Sequence, residues 1–286
     1  MSIFFKYAGL SFESNIYFPF FYQMTTPPVK FFYVQEENYT SPLLTNQAVF
    51  VSHGRYYINF SENGYYEVTK EGITCRFKDK QLLYATICNL PFAILSILNG
   101  ILPLHSSAVS DEKSTYIFLG EKGAGKTTLA YLLSAYGPFE VMGDDMIGIS
   151  SPRPNQISAM RGSKSMKLCG SFCDLEGLSR EDEIYPQWDK YFIDAPRTAT
   201  NDVCCIKRLY VIQRGAIVRR EKIFPALTEN MLYRHVVSIS WLEPLMHRQI
   251  RELIRPLRGI SLYSLQVPES VVGLKNRLSA ITSCIK

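Results

Sequence analysis

Thr115-Tyr-Ile-Phe-Leu-Gly120-Glu-Lys-Gly-Ala-Gly125-Lys126-Thr127-Thr128-Leu-Ala-Tyr-Leu-Leu is the stretch that decides how this chain is read. Its first five residues are apolar or β-branched throughout, as a strand buried on both faces is. A glycine-rich loop follows, and then a helical run over residues 127–136 that stops at Gly137-Pro138. The loop fits the pattern G-x-x-x-x-G-K-[ST] between a strand and a helix, which is the context that pattern requires. Gly120, Gly123 and Gly125 let the backbone turn where a Cβ would clash and let amides approach phosphate oxygens. Residues Glu121, Lys122 and Ala124 complete the loop, and its N–H groups with the helix N-terminus make an anion nest. Lys126 supplies a mobile cation for the β- and γ-phosphates, and Thr127, followed by Thr128, offers a hydroxyl to Mg²⁺. A glycine turn with an incidental lysine is the bland alternative, and the succession of strand, loop and helix disfavours it.

A phosphate loop does not choose a reaction; the carboxylates near it do. Gly143-Asp144-Asp145 ends a short strand over residues 139–142, shortly after the loop helix. At the carboxyl end of a neighbouring strand, both acids would face the crevice that holds the loop. Two adjacent carboxylates divide into two jobs, one holding Mg²⁺ and one accepting the proton of an attacking hydroxyl. His105, on an expected strand over residues 102–110, is close enough in sequence to contact a γ-phosphate or orient an acid, although an isolated histidine is more often structural. Lys164, Lys167 and Lys190 are further candidate phosphate contacts, with the surface-lysine reading favoured for each.

Around this core the pattern is uneven. A helix is expected over residues 90–98. Residues 1–88 look like strands: Lys30-Phe-Phe-Tyr-Val, Ala48-Val-Phe-Val-Ser and Tyr56-Tyr-Ile-Asn-Phe are β-branched or aromatic runs with turn signals between them. Asn63-Gly64 is a hairpin signal and His53-Gly54 a turn. We therefore expect two domains, a β-rich one over 1–88 and a P-loop domain over 89–286. Further strands are expected around residues 207–211 and 217–220, and helices over 228–237, 245–254 and 270–281. Beyond Asp145 the pattern alternates less cleanly.

Composition narrows the class. The 286 residues are 47% hydrophobic and 20% charged, enough to fill a core. A net charge of +5 permits a nucleotide or an acidic peptide without demanding nucleic acid. The seven cysteines are odd in number and scattered, which argues against a disulfide framework, and Cys169 and Cys173 lack partners for a zinc site. The apolar stretch over residues 91–104 is too short and too interrupted to span a bilayer, and the first residues do not read as a signal peptide. A cytoplasmic protein with no membrane partner is the expectation.

Three pieces together carry a resemblance: Leu104-His105-Ser-Ser-Ala-Val, the loop Gly120 to Thr128, and Gly143-Asp144-Asp145-Met-Ile-Gly-Ile. In this order and at this spacing they resemble the HPr kinase/phosphorylase-related P-loop serine kinases. Tyr7-Ala-Gly-Leu-Ser-Phe-Glu-Ser-Asn is similar to the opening strand of the members that sit in peptide gene clusters, among them the kinases that phosphorylate the C-terminal serine of lasso peptide precursors. The resemblance implies an α/β fold with a phosphoenolpyruvate-carboxykinase-like P-loop kinase core preceded by a small β-rich domain. It implies an ATP- and Mg²⁺-dependent serine kinase acting on a peptide or small protein, assembled as a homo-oligomer. Asp144 would match the base, and Asp145 its neighbour that works with the metal and His105; Thr127 and Asp145 would then be the metal ligands, and Lys126 a catalytic cation. Thr127-Thr128 stands where HPr kinase/phosphorylases have serine-glutamate. Arg161-Gly162 is preceded by Ala159 where that family has an acid. Both departures turn the reading from HPr as the substrate toward a peptide-tailoring relative. Regulatory phosphorylation of HPr and a non-catalytic nucleotide-binding scaffold are the competing readings.

Overall fold

Alternating aromatic and polar residues pair the first third of the chain into one sheet. The computed structural model describes residues 3–28, 32–43, 45, 47–153, 156–180 and 189–286. Its first strands are β1 (Ile3–Tyr7), β2 (Leu10–Ser14), β3 (Tyr22–Gln23), β4 (Phe32–Glu36), β5 (Val49–Ser52), β6 (Arg55–Asn59), β7 (Gly64–Val68) and β8 (Gly72–Phe77). They lie in the order β3-β1-β2-β4-β8-β7-β6-β5. The three strand runs read from sequence fall in β4, β5 and β6, with Lys30 and Phe31 outside the described residues. His53 and Gly54 both take left-handed backbone (φ 49° and 74°) and make the two-residue turn between β5 and β6. Asn63-Gly64 does not make such a turn. A 3₁₀ turn over Ser61–Asn63 joins β6 to β7, and Gly64 is already the first strand residue. A Cβ on Gly64 would lie 2.4 Å from the Arg76 carbonyl oxygen, so the glycine serves close strand approach.

Two helices follow, α1 (Lys80–Thr86) and α2 (Leu90–Leu98). Asp79 caps α1 by accepting from the Gln81 N–H at 2.8 Å. Residues 90–97 of α2 are all buried, as expected for a core helix. Among the described residues no single helix is long and apolar enough to cross a membrane; α1 and α2 reach that length only as a pair bent by 50°.

The rest of the chain adds β9 (Leu102–Leu104), β10 (Ser107–Ser110), β11 (Thr115–Leu119), α3 (Lys126–Ala135), β12 (Glu140–Gly143), β13 (Ile147–Arg153), β14 (Gln156–Met160), β15 (Ser165–Cys169), α4 (Gly170–Glu176), β16 (Lys190–Asp194), β17 (Val203–Arg214), β18 (Arg219–Lys222), α5 (Pro225–Arg234), α6 (Ile239–Ile254), β19 (Leu262–Val267), α7 (Val271–Asn276) and α8 (Leu278–Ile285). A second sheet runs β12-β10-β11-β17-β14-β13-β9, with β19 on β17 and β18 on β19. The result is a mixed α/β architecture with two large sheets and a separate antiparallel pair, β15–β16, whose strands are separated in sequence by α4.

Three sequence expectations are corrected here. The expected strand over residues 102–110 is two strands, because β9 pairs with β13 while β10 pairs with β11 and β12. The chain crosses between the two halves of the sheet at His105 and Ser106. The expected helix over 270–281 breaks at Arg277 into α7 and α8. Finally, β12 is not the immediate neighbour of β11. β10 lies between them, antiparallel to both, so β11 and β12 run the same way and their carboxyl ends share one edge of the sheet.

One continuous apolar cluster joins the two sheets. Phe5 and Phe12 of the first sheet and Phe18 and Phe21 of the loop between β2 and β3 share it with Phe92 of α2 and with Leu104, Ile117, Met142 and Ile147 of the second sheet. The turn of the β1–β2 hairpin, Ala8-Gly9, reaches into the second sheet: Ala8 N–H donates to the Arg161 carbonyl at 2.9 Å. A second cluster packs α3 with α4, α7 and α8.

Candidate active site

The loop after β11 begins at the carboxyl edge of the second sheet and ends in α3. Gly125 is the residue before α3, with left-handed backbone (φ 90°), and a Cβ there would lie 2.1 Å from Arg214 Nη2. Glycine is therefore required both by conformation and by the arginine at the end of β17. Lys126 is 7% exposed, and its ammonium donates to the carbonyls of Gly120 at 2.8 Å and Glu121 at 3.3 Å. Burial pushes its pKa down against the pull of Asp144 and Asp145.

Asp144 leaves β12 at the same edge. It is 2% exposed and engaged through both oxygens. Its Oδ1 accepts from Ser107 Oγ at 2.6 Å and from Thr127 Oγ1 at 2.9 Å, and its Oδ2 accepts from the Lys167 backbone N–H at 3.0 Å. The sequence expectation paired Thr127 with Asp145; the structure pairs Thr127 with Asp144. The reason is the left-handed backbone of Asp145 (φ 68°), which turns the chain and aims the second carboxylate to the other side. Asp145 Oδ2 lies 2.6 Å from Lys167 Nζ, and its Oδ1 lies 3.9 Å from His105 Nε2. Burial alone would raise the Asp145 pKa, but Lys167 and His105 outweigh it and hold the carboxyl at about 2. The same pair raises the Lys167 pKa despite burial. His105 is held down by burial, with Asp145 acting against it.

Lys167 is thus no surface lysine: its side chain is 10% exposed and sits over the Phe192 ring at 5.9 Å. Phe192 in turn stacks on Phe20 from the loop between β2 and β3, with centroids 4.6 Å apart. Behind the lysine lie Tyr7 of β1 and Cys88, whose thiol burial drives up to about 12. Lys190, at the start of β16, lines the same cavity and has no carboxylate within ion-pair distance among the described residues. Lys164 lies in a separate groove with Tyr17 and Phe20. Arg161 serves structure: it pairs with Asp202 and lies over the Tyr22 ring at 3.8 Å. Its neighbour Gly162 packs on Gly143, directly behind the aspartate pair.

These groups share one cavity of about 620 Å³. His105, Lys122, Gly123, Gly125, Lys126, Thr127, Thr128, Asp144 and Asp145 line it; Gly120, Glu121 and Ala124 do not. Sequence reasoning missed Ser107 and Arg214. Ser107 follows the quoted His105 by two residues and was within reach; Arg214 ends a long strand and no motif marks it. A further histidine, His235, supplies the carbonyl that accepts from the His105 N–H at 2.7 Å. Burial and Lys126 hold its imidazole down at about 4.

The donor set fits a Mg²⁺ carried on a nucleotide. Among the described residues there is no group of three or more metal-ligating His, Cys, Asp or Glu side chains. Thr127 and Asp144 side by side are what such a site needs, since Mg²⁺ takes one or two protein ligands and completes its shell from phosphates and water. Among the described residues, five cationic side chains line the cavity against two carboxylates, which suits a polyphosphate.

No family model matches the chain, and no curated protein matches it. Among solved structures, the Hpr(Ser) kinase/phosphatase from Coxiella burnetii aligns over 63% of this chain and 93% of that one, at 13% identity and a TM-score of 0.35. At that identity and score the likeness decides nothing about activity; the chemistry of the cavity must.

Proposed function

We propose that the chain is a Mg-ATP-dependent kinase that phosphorylates a serine hydroxyl of a peptide or small protein, with the C-terminal serine of a lasso peptide precursor as the acceptor. The observation that carries the kinase reading is the split of the aspartate pair at the phosphate end of the loop. Asp144 accepts from Ser107, Thr127 and the Lys167 N–H, which leaves one Oδ2 lone pair beside the threonine for a metal. Asp145 lines the cavity with its side chain 23% exposed, and so it is the carboxylate an acceptor can reach. This reverses the roles that the resemblance implies for the two residues. A Mg²⁺ held by Thr127, Asp144 and phosphate oxygens would neutralise charge developing on the leaving phosphate.

In the reaction the acceptor oxygen attacks the γ-phosphorus, the bond from the γ-phosphorus to the β–γ bridging oxygen breaks, and ADP leaves. The serine proton passes to Asp145 Oδ1. A carboxyl held at about 2 is a weak base in the resting site. In a loose phosphoryl-transfer transition state the hydroxyl proton becomes acidic late, so orienting the hydroxyl matters more than basicity. Lys126, Lys190 and Arg214 are placed to stabilise the equatorial and bridging oxygens. The serine acceptor, the lasso precursor and a homo-oligomeric assembly rest on the sequence resemblance, and the division at residue 88 on the change of sequence pattern there.

The test is transfer from γ-labelled ATP to peptides that end in serine, read by mass spectrometry, with HPr offered in parallel. Phosphoserine at the peptide C-terminus, lost in Asp145→Asn, supports the proposal. Undiminished transfer by Asp145→Asn would sink the base assignment, and stoichiometric phosphorylation of HPr alone would replace the acceptor. Tight ATP binding without transfer to any acceptor would leave a scaffold.

A further inference from the structure

We propose that the nucleotide base lies in an apolar slot between α4 and α7, over the flank of α3, and that this slot grips the base without reading its edge. The inference rests on the proposed role of the loop as a nucleotide cradle and adds where the other end of the nucleotide goes.

The phosphate-binding groups gather at the N-terminus of α3, at Lys126 and Thr127, with Asp144 and Asp145 on the acceptor side. The same cavity continues past Thr128, where Phe172 and Leu175 of α4 and Val271 and Val272 of α7 line it. Leu175 is 53% exposed and Val272 is 57% exposed. Large apolar side chains left open to water at the wall of a charged cavity are what a ligand's flat apolar part covers. The two walls are tied together. Glu176 of α4, with 2% of its side chain exposed, lies 2.6 Å from Lys275 Nζ of α7. Tyr136, just past α3, donates its hydroxyl to Glu176 Oε2 at 2.7 Å, and Lys275 sits over the Tyr136 ring at 4.8 Å. The slot is therefore spanned by a fixed strut and is preformed, which keeps the ordering cost of binding low.

Reading a purine edge takes free hydrogen-bonding groups, and among the described residues the slot offers few. Ser270 Oγ accepts the Gly273 N–H at 3.0 Å, which holds the hydroxyl at the start of α7 with only its O–H left to give, and Ser171 Oγ lies 3.4 Å from Cys169 Sγ. An apolar grip discriminates weakly between flat bases, whereas a site built to pair with an edge rejects the wrong base strongly. ATP and GTP should bind within about fivefold of each other.

Calorimetric titration of the full chain with Mg-ATP, Mg-GTP and inorganic tripolyphosphate tests this, using Leu175→Ser/Val272→Ser and, as an exposed control, Phe224→Ala. The slot predicts a loss of roughly tenfold or more for both nucleotides in the double variant, from lost apolar contact. Tripolyphosphate affinity should be unchanged in every variant, and Phe224→Ala should match the parent. Unchanged ATP affinity in the double variant overturns the slot, as does an equal loss of tripolyphosphate, which would place the defect in the phosphate cradle. An ATP preference over GTP of more than about fiftyfold overturns the edge-blind grip. If the parent chain binds tripolyphosphate and ATP equally well, the slot alone fails. If it binds neither, the cradle reading fails with it.

Discussion

Lys167 Nζ lies 2.6 Å from Asp145 Oδ2, and this ion pair couples the β15–β16 strand pair to the loop that follows β12. The lysine gives its backbone N–H to Asp144 and its side chain to Asp145, so one residue sets both members of the aspartate pair.

Removing that lysine should leave Asp145 partly buried and uncompensated. Lys167→Ala is expected to cost about 3 kcal/mol of stability, the usual scale for breaking a buried pair. The double variant Lys167→Ala/Asp145→Asn should recover part of the loss, because no stranded charge remains. Urea denaturation of the four proteins in the cycle measures the coupling; a coupling energy near zero would contradict the pair. Transfer activity should fall by at least about a hundredfold in Lys167→Ala.

Thr127 and Asp144 act together on the metal. Thr127→Ala should weaken Mg-ATP binding by roughly tenfold or more while leaving metal-free nucleotide binding nearly unchanged. Titrations at saturating Mg²⁺ and in chelator check this. Equal losses under both conditions would mean that the hydroxyl serves the loop backbone and not the ion.

Stability should rise with pH through a histidine window. The folded pKa of His235 is held at about 4, below its ordinary 6.5, by burial and by Lys126, with His105 and Arg234 adding repulsion and Glu121 opposing them. Between those values the unfolded chain binds a proton that the native chain does not. Stability is then complete above pH 6.5 and is lost as the pH falls toward 4, by on the order of 2 kcal/mol. His105 shifts in the same direction and adds to the slope. Asp145 works in a lower window: its contribution is present above its ordinary 3.8 and is lost as the pH falls through about 2. Chemical denaturation at pH 5 and pH 7.5 reads the histidine window, and His235→Gln should flatten it.

Gly143 to alanine should disturb the aspartate pair without touching it. A Cβ at 143 would meet the Gly162 Cα and N, both at 2.9 Å, and these are backbone atoms that cannot swing aside. A cost of about 1–3 kcal/mol is expected, together with a loss of activity larger than thermal destabilisation alone explains. Melting temperature and transfer rate measured on one preparation separate the two effects.

The sequence by itself determined the contiguous loop motif, though not every local element: the strand expected over 102–110 and the helix over 270–281 each divide in two. Residues 115–136 form a strand, a glycine loop and a helix because each reads locally: an apolar run, glycines where the φ is positive, and helix formers up to Gly137-Pro138. Asp144, Asp145 and His105 were also legible, as short-range companions of that motif. What only the tertiary structure decided is which aspartate meets Thr127, which lysine meets Asp145, and which arginine closes over Gly125. Lys167, Lys190 and Arg214 arrive from segments that share no periodicity with the loop, in the region beyond Asp145 where the pattern alternates less cleanly or at the end of a long strand. Parallel pairing of β11 with β17 and the shared direction of β11 and β12 bring those ends to one edge of the sheet. Strand order arises from contacts between residues far apart in the chain, and spacing along the chain carries no record of it. The aspartate roles turned on a single backbone angle at Asp145, which a residue type permits but does not announce.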